Sequence, residues 1–340
     1  MASKGTKYAA VAAIAALAGA KFYKDHIEYR AYSRIDEIKR GRARGPITEG
    51  CLVLEGGALR GLYTSGVTDA LMEHGINLQT VIGVSAGALN GVGYVTRQIG
   101  RSARFNLSNR YNRRYFGIEA FLRNRSPFGF DYMFSDEVNV EALDWKAFNS
   151  SSRRFVAVAT DIATGKPAYL EKKNVSDMDK AIRASATMPV LSSSVYLDGH
   201  RYLDGGCSCN IPYQWAMDEG YEKIVVVRTR SRGFHKDTTT GGATDSVYDE
   251  LLSRRYAARP NLLRALRNSD ERYNHECDRL EHLEEKGRVF CIAPSIPPRV
   301  GRMEPDIEKI GDLYMLGHAD AEAAIPALRK YLGLAPEEKK

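Results

Sequence analysis

The sequence predicts an α/β fold: a mainly parallel sheet with helices on both faces. Three observations carry this expectation. Short runs of continuously apolar residues recur: CLVLE at Cys51–Glu55, FVAVAT at Phe155–Thr160 and KIVVVR at Lys223–Arg228. Strands buried on both faces read this way, without polar alternation. Stretches of helical spacing lie between them, and strand–helix alternation is the signature of a parallel sheet. Glycine-rich turns directly follow the first two strands, where open α/β sheets place their sites.

The elements follow in order. Residues 8–20 are an Ala-rich apolar run behind Lys4 and Lys7, interrupted by Lys21 and Lys24. Thirteen residues of helix rise about 20 Å, short of a hydrocarbon core of about 30 Å. A signal peptide, a weak membrane-dipping anchor and an Ala-rich surface helix all fit this run. Lys39–Gly45 is a basic linker. After the strand Cys51–Glu55, Gly61–His74 reads as a helix, Val81–Val84 as a strand and Ala86–Arg97 as a second helix. Residues 105–135 are rich in aromatics and arginines. Phe155–Thr160 is the third strand, and Val175–Ala186 is helical up to the Met188–Pro189 break. Val195–Leu197 and Arg201–Leu203 flank Asp198-Gly199, a strong hairpin signal. Lys223–Arg228 is a strand, 229–247 a loop, 261–286 one charged helix and Arg288–Ala293 the last strand. Helices finish the fold before a solvated tail at Pro336–Lys340.

Composition excludes several classes. The 340 residues are 44% hydrophobic and 27% charged, which is globular rather than disordered. Five cysteines, loosely spaced, give no disulfide framework and favour a reducing, cytoplasmic compartment. That argues against export and favours anchor or surface helix for residues 8–20. Cys207 and Cys209 form a lone C-x-C without a second pair or nearby histidines, so no metal site is expected. The net charge of +7 is uneven: residues 1–45 hold ten Lys/Arg against four Asp/Glu, and 97–125 hold eight Arg against Glu119 alone. Such faces fit an anionic partner, whether membrane, phosphate-bearing substrate or nucleic acid, and equally a solvated ion-paired surface.

Gly83-Val84-Ser85-Ala86-Gly87 is a G-x-S-x-G between a strand and a helix. Flanking glycines permit a sharp turn that projects the Ser85 hydroxyl, and the helix N-terminus favours developing negative charge there. A serine that merely caps the helix is the alternative. Gly56-Gly57-Ala58-Leu59-Arg60-Gly61 also joins a strand to a helix and presents backbone N–H groups. No G-K-[ST] follows, so a phosphate-binding P-loop is disfavoured and an oxyanion hole for Ser85 is the better use. A serine nucleophile needs a base. Among the histidines beyond it, His318 is the only tempting one. Asp204-Gly205-Gly206 offers another: a carboxylate ending a hairpin strand, with two glycines that allow close backbone approach.

Taken together, L-E-G-G-A-L-R-G, then G-V-S-A-G followed by A-L-N, then D-G-G with N-I-P at Asn210–Pro212, resemble a patatin-like phospholipase. R-A-S-A-T-M-P at Arg183–Pro189 resembles the family's stretch before its catalytic hairpin. The resemblance runs from about Cys51 to Arg230. R-Y-N at Arg272–Asn274 and G-R-V-F at Gly287–Phe290 resemble a bacterial branch. The resemblance implies a three-layer α/β fold and a Ser85–Asp204 dyad without histidine. It implies an oxyanion hole from Gly56, Gly57, Ala58 and Gly61, supported by Arg60, with Gly83, Gly87, Gly205 and Gly206 shaping the turns. It implies phospholipase A-like hydrolysis of lipid acyl esters with no metal and no cofactor. Ala58 departs from the family's usual glycine and is less comfortable at positive φ.

The expected organisation is a basic tail with a short apolar helix at 1–45 and a patatin-like catalytic domain at 46–230. A C-terminal helical region with one added strand, 231–335, packs on the same domain. Expected partners are a phospholipid or other acyl-ester lipid and an anionic membrane surface, not nucleic acid. The segment 105–135 is a candidate substrate-facing cap, with ordinary aromatic packing as the alternative. Two other functional classes stay open: a histidine-triad esterase or peptidase using His318, and a lipid-binding protein with a vestigial site.

Overall fold

The apolar strands pair as β-branched runs buried on both sides must, in the middle of a sheet. The structure, a computed structural model, describes residues 31–135, 138, 141–238 and 243–336. The apolar run 8–20, residues 239–242 of the predicted loop and residues 337–340 of the predicted tail lie outside the described residues. The strands are Gly41–Arg42 (β1), Thr48–Leu54 (β2), Leu78–Val84 (β3), Gln98–Ile99 (β4), Arg154–Asp161 (β5), Pro167–Glu171 (β6), Val195–Leu197 (β7), His200–Asp204 (β8), Ile224–Val227 (β9) and Phe290–Ile292 (β10). β1 and β4 form a separate small ribbon. The main sheet runs β10-β9-β2-β3-β5-β8-β7, with β6 also on β5. The five strands from β10 to β5 are parallel. β5 pairs antiparallel with β6 and β8, and β8 with β7.

Period-two side-chain alternation splits each central strand between two cores. Leu52, Leu54, Val81, Phe155 and Val225 face the helices Gly61–Glu73, Ala86–Val95 and Ile307–Leu332. Cys51, Val53, Ile82, Val156 and Val226 face Tyr213–Asp218 and Ser269–Glu285. The result is three layers, helix–sheet–helix. The helix Gly61–Glu73 is buried from Gly61 to Met72, because it packs against both the last helix and the helix Ala86–Val95. Small residues permit the contact with the last helix. A Cβ at Gly66 would stand 2.2 Å from the Tyr314 carbonyl oxygen, and one at Gly317 would stand 2.2 Å from that of Tyr63.

The hairpin forms at Asp198-Gly199, with both residues left-handed (φ 48° and 85°), as a two-residue type I′ turn requires. Three segments differ from expectation. β6 reads poorly in sequence because it opens on Pro167 and is only half-buried, the mark of an edge strand. The predicted loop 229–247 gives way to a helix at Ala243–Arg255. The predicted single helix 261–286 is two, Pro260–Arg267 and Ser269–Glu285, broken at Asn268. The break sends the two halves to different cores: Leu262 and Leu266 join Leu203 and Cys207, whereas Tyr273, Cys277 and Leu280 cover the sheet. One helix of 26 residues ends the fold, capped by Asp306 and stopped at Gly333 in the left-handed region. No helix among the described residues is long and apolar enough to cross a membrane.

Candidate active site

β3 ends at Val84 and the next helix begins at Ala86, so Ser85 alone makes the turn, at φ 55° and ψ −123°. A non-glycine residue held there stores about 1–3 kcal/mol of strain. Close packing enforces it. A Cβ at Gly83 would stand 2.5 Å from the Ala88 nitrogen, and one at Gly87 would stand 2.4 Å from the Leu54 carbonyl oxygen. The Ser85 hydroxyl makes no helix-capping bond, so the cap alternative does not describe it. Its backbone N–H donates to the Ser185 hydroxyl oxygen at 2.9 Å, and Ser185 donates to the Val158 carbonyl at 2.6 Å. Ser185 therefore holds the turn from below, a role the sequence does not signal.

Strand register brings Asp204 alongside. Val158 of β5 pairs with Val84, and the next residue, Ala159, pairs with Asp204. Gly205 allows this approach, since a Cβ there would stand 2.2 Å from the Val158 carbonyl oxygen. The Asp204 carboxylate accepts from the Ser85 hydroxyl and from the Gly206 N–H, the latter at 2.8 Å. Burial pushes the carboxyl up to about 6, against the opposing effects of those hydrogen bonds and of Arg302. A buried carboxylate touching a strained serine at a helix N-terminus can accept that serine's proton.

The glycine loop lies against the same serine. A Cβ at Gly56 would stand 3.3 Å from the Ser85 Cβ. Ala58 sits at φ 50°, so the alanine occupies the left-handed conformation that glycine would take without strain. It opens a short helical turn, Ala58–Arg60, that runs into the helix at Gly61. Amides that open such a turn have no partner within it, which leaves Gly57 and Ala58 as candidate oxyanion donors. Arg60 is buried, and its Nε has no partner. Burial lowers its guanidinium to about 10, and Arg230 and Arg302 reinforce the shift. Its position beneath the loop fits a supporting role. Sequence reasoning missed the bracket that fixes the loop. Buried Glu55 accepts from the Thr229 N–H at 2.5 Å and from the Tyr273 hydroxyl at 2.9 Å, while Thr229 donates to the Gly56 carbonyl at 3.0 Å.

Ser85 opens into a cavity of about 60 Å³ that Ala58, Leu62, Phe105, Tyr115, Phe128 and Phe130 help to line. The segment 105–135 thus contributes much of its apolar wall. No histidine among the described residues lines this cavity. His318 bonds Glu73 at 3.2 Å across the contact between the first long helix and the last, and that bond holds its imidazole above the ordinary value. His200 bonds Asp161 and His235 bonds Asp278. Replacing His318 with alanine should leave turnover of a soluble ester within about threefold, because an engaged base must touch its nucleophile. A much larger loss with an unchanged melting temperature would restore the triad. Cys207 and Cys209 are free thiols. The one metal-type grouping among the described residues is Glu73, His318 and Glu322, none of which lines the cavity.

Fold and site together give a three-layer α/β protein with a half-buried serine on a strained turn beside a buried carboxylate. Residues 52–217 match the family model of the patatin-like phospholipases, and residues 259–333 match a domain of unknown function, DUF6363. Residues 52–217 are thus a patatin-like phospholipase domain. The chain is 31% identical over 185 residues to the uncharacterized protein YjjU of Escherichia coli, covering 52% of this chain and 51% of that one. It is 27% identical over 289 residues to the NTE family protein Rv2565 of Mycobacterium tuberculosis, covering 82% and 45% respectively. It is 24% identical over 306 residues to the lysophospholipase NTE1 of Candida albicans, covering 87% and 20%. The chain thus spans about half the length, or less, of these relatives.

Proposed function

We propose that this protein is a lipid acyl hydrolase, phospholipase A-like, working through Ser85 and Asp204. The observation that carries the proposal is the Ser85 hydroxyl, held in a strained elbow and donating to a buried carboxylate. In this reading Ser85 attacks the ester carbonyl as Asp204 takes its proton. The Gly57 and Ala58 amides receive the oxyanion. Asp204 returns the proton to the leaving alcohol, and water then cleaves the acyl-enzyme. The apolar cavity wall suits a lipid chain, and the lysophospholipase named among the relatives supports the substrate class. Fluorophosphonate labelling tests the reading directly: an adduct mapped to Ser85 supports it, and a protein that takes no label does not have an activated serine.

The pH profile tests the base. Asp204 accepts a proton only when ionised, and burial raises its carboxyl to about 6. Turnover of a soluble ester should therefore fall as pH drops through about 6 and level off above it. A rate independent of pH across that region would exclude Asp204 as the base.

A further inference from the structure

We propose that the helix Ile118–Asn124 is a docking surface for an anionic lipid bilayer, carried on the loop whose foot lines the Ser85 cavity. The choice of a bilayer as partner rests on the lipid-hydrolase reading; the surface itself does not. The helix sits on a closed loop. Phe116 and Phe128 form an isolated antiparallel bridge, with the Gly117 N–H donating to the Pro127 carbonyl at 3.1 Å and the Gly129 N–H to the Tyr115 carbonyl at 2.8 Å. Tyr115 and Phe128, at the foot of this loop, line the cavity that holds Ser85. The loop's tip therefore projects from the cavity's own wall.

The tip is apolar and faces solvent. Ile118, Phe121 and Leu122 are 62%, 50% and 75% exposed, whereas Ala120 is the helix's one buried residue. Spacings of three and four residues put these three side chains on one face. The patch continues onto a neighbouring loop. The Ser193 N–H donates to the Arg125 carbonyl at 3.0 Å, and Leu191 beside it is 44% exposed. Clustered large hydrophobic residues in water mark an interaction surface. Its rim is basic. Arg113, Arg123 and Arg125 are exposed, and Glu119 is the only acidic residue from 113 to 125. An apolar face rimmed by arginines is what interfacial helices present to anionic headgroups. A protein partner would need no such placement on the wall of an apolar cavity.

The test uses the full chain with the double substitution Ile118→Ser and Leu122→Ser, and separately Arg123→Gln with Arg125→Gln. Sedimentation is measured with phosphatidylcholine vesicles carrying phosphatidylglycerol and with phosphatidylcholine alone. Wild type should partition to the anionic vesicles, and the serine variant should lose about tenfold or more. The glutamine variant should lose its preference for the anionic vesicles. Turnover of a soluble p-nitrophenyl ester should stay within about twofold in both, since neither pair lines the cavity. Tryptophan at position 121, made as Phe121→Trp, gives a second readout that does not depend on those variants: its emission should shift to the blue on adding anionic vesicles. Vesicle binding by the serine variant equal to wild type overturns the proposal, as does an unshifted emission. So does a serine variant that turns a dimer into a monomer without losing vesicle binding, because the face then joins two copies. A wild type inert to soluble esters, with the vesicle results as expected, sinks the hydrolase reading and leaves the surface standing.

Discussion

Replacing Ser85 with alanine is expected to lower kcat/KM for a soluble ester by about 10⁴-fold or more, as loss of a covalent nucleophile does. The fold should survive. Alanine keeps the Cβ, so the strained turn at φ 55° is neither relieved nor worsened. The Ser185 hydroxyl still accepts from the residue-85 backbone N–H, and the glycine contacts around the turn are untouched. What is lost is one hydrogen bond to the Asp204 carboxylate, a change of about 1.5–3 kcal/mol at most. Ester turnover and thermal melting, measured together, separate chemistry from stability. Turnover within tenfold of wild type would remove Ser85 from the reaction.

Asp204→Asn should cost about 10²–10⁴ in turnover, the range of a general base. The asparagine carbonyl can still accept from the Gly206 N–H, but the amide nitrogen then meets the serine hydroxyl as a donor. The same substitution should alter stability in a pH-dependent way. The Asp204 carboxyl is raised from 3.8 to about 6, so the folded state disfavours its charge. Below 3.8 the group is protonated in both folded and unfolded chains and contributes nothing. Above about 6 it is ionised in both and the folded state bears the full cost, on the order of 1–3 kcal/mol. The asparagine variant should therefore melt higher than wild type at pH 8 and alike near pH 4. A variant less stable at pH 8, with activity retained, would contradict both the role and the electrostatics.

The part of the site readable in sequence is the part made by neighbours in the chain. Gly83 to Gly87 and Asp204 to Gly206 are local turns whose residue types follow from local crowding. That Val84 and Asp204 meet consecutive residues of β5 needs strand register, which no local pattern encodes. Ser185 and the Glu55–Thr229–Tyr273 bracket act across 100 to 218 residues of chain. A buried serine in a helix, or a glutamate after a strand, looks like many others until its partner is placed. The fold divides the same way. The central parallel strands are legible from their apolar runs, while β6, with its proline and half-exposed pattern, takes its identity from pairing with β5.

The glycine contact between the first long helix and the last has a consequence for how the chain is made. Tyr63 and Gly66 are translated before the Gly317 face that covers them, which belongs to a helix beginning 234 residues after Glu73. At about 5–20 residues per second that is a delay of roughly 12–47 s, during which the helix's outer side has no cover. Throughout synthesis the ribosome carries a half-built sandwich, with apolar surface that the finished protein never shows. Until the last helix closes over it, such surface is a site where unfinished chains can aggregate.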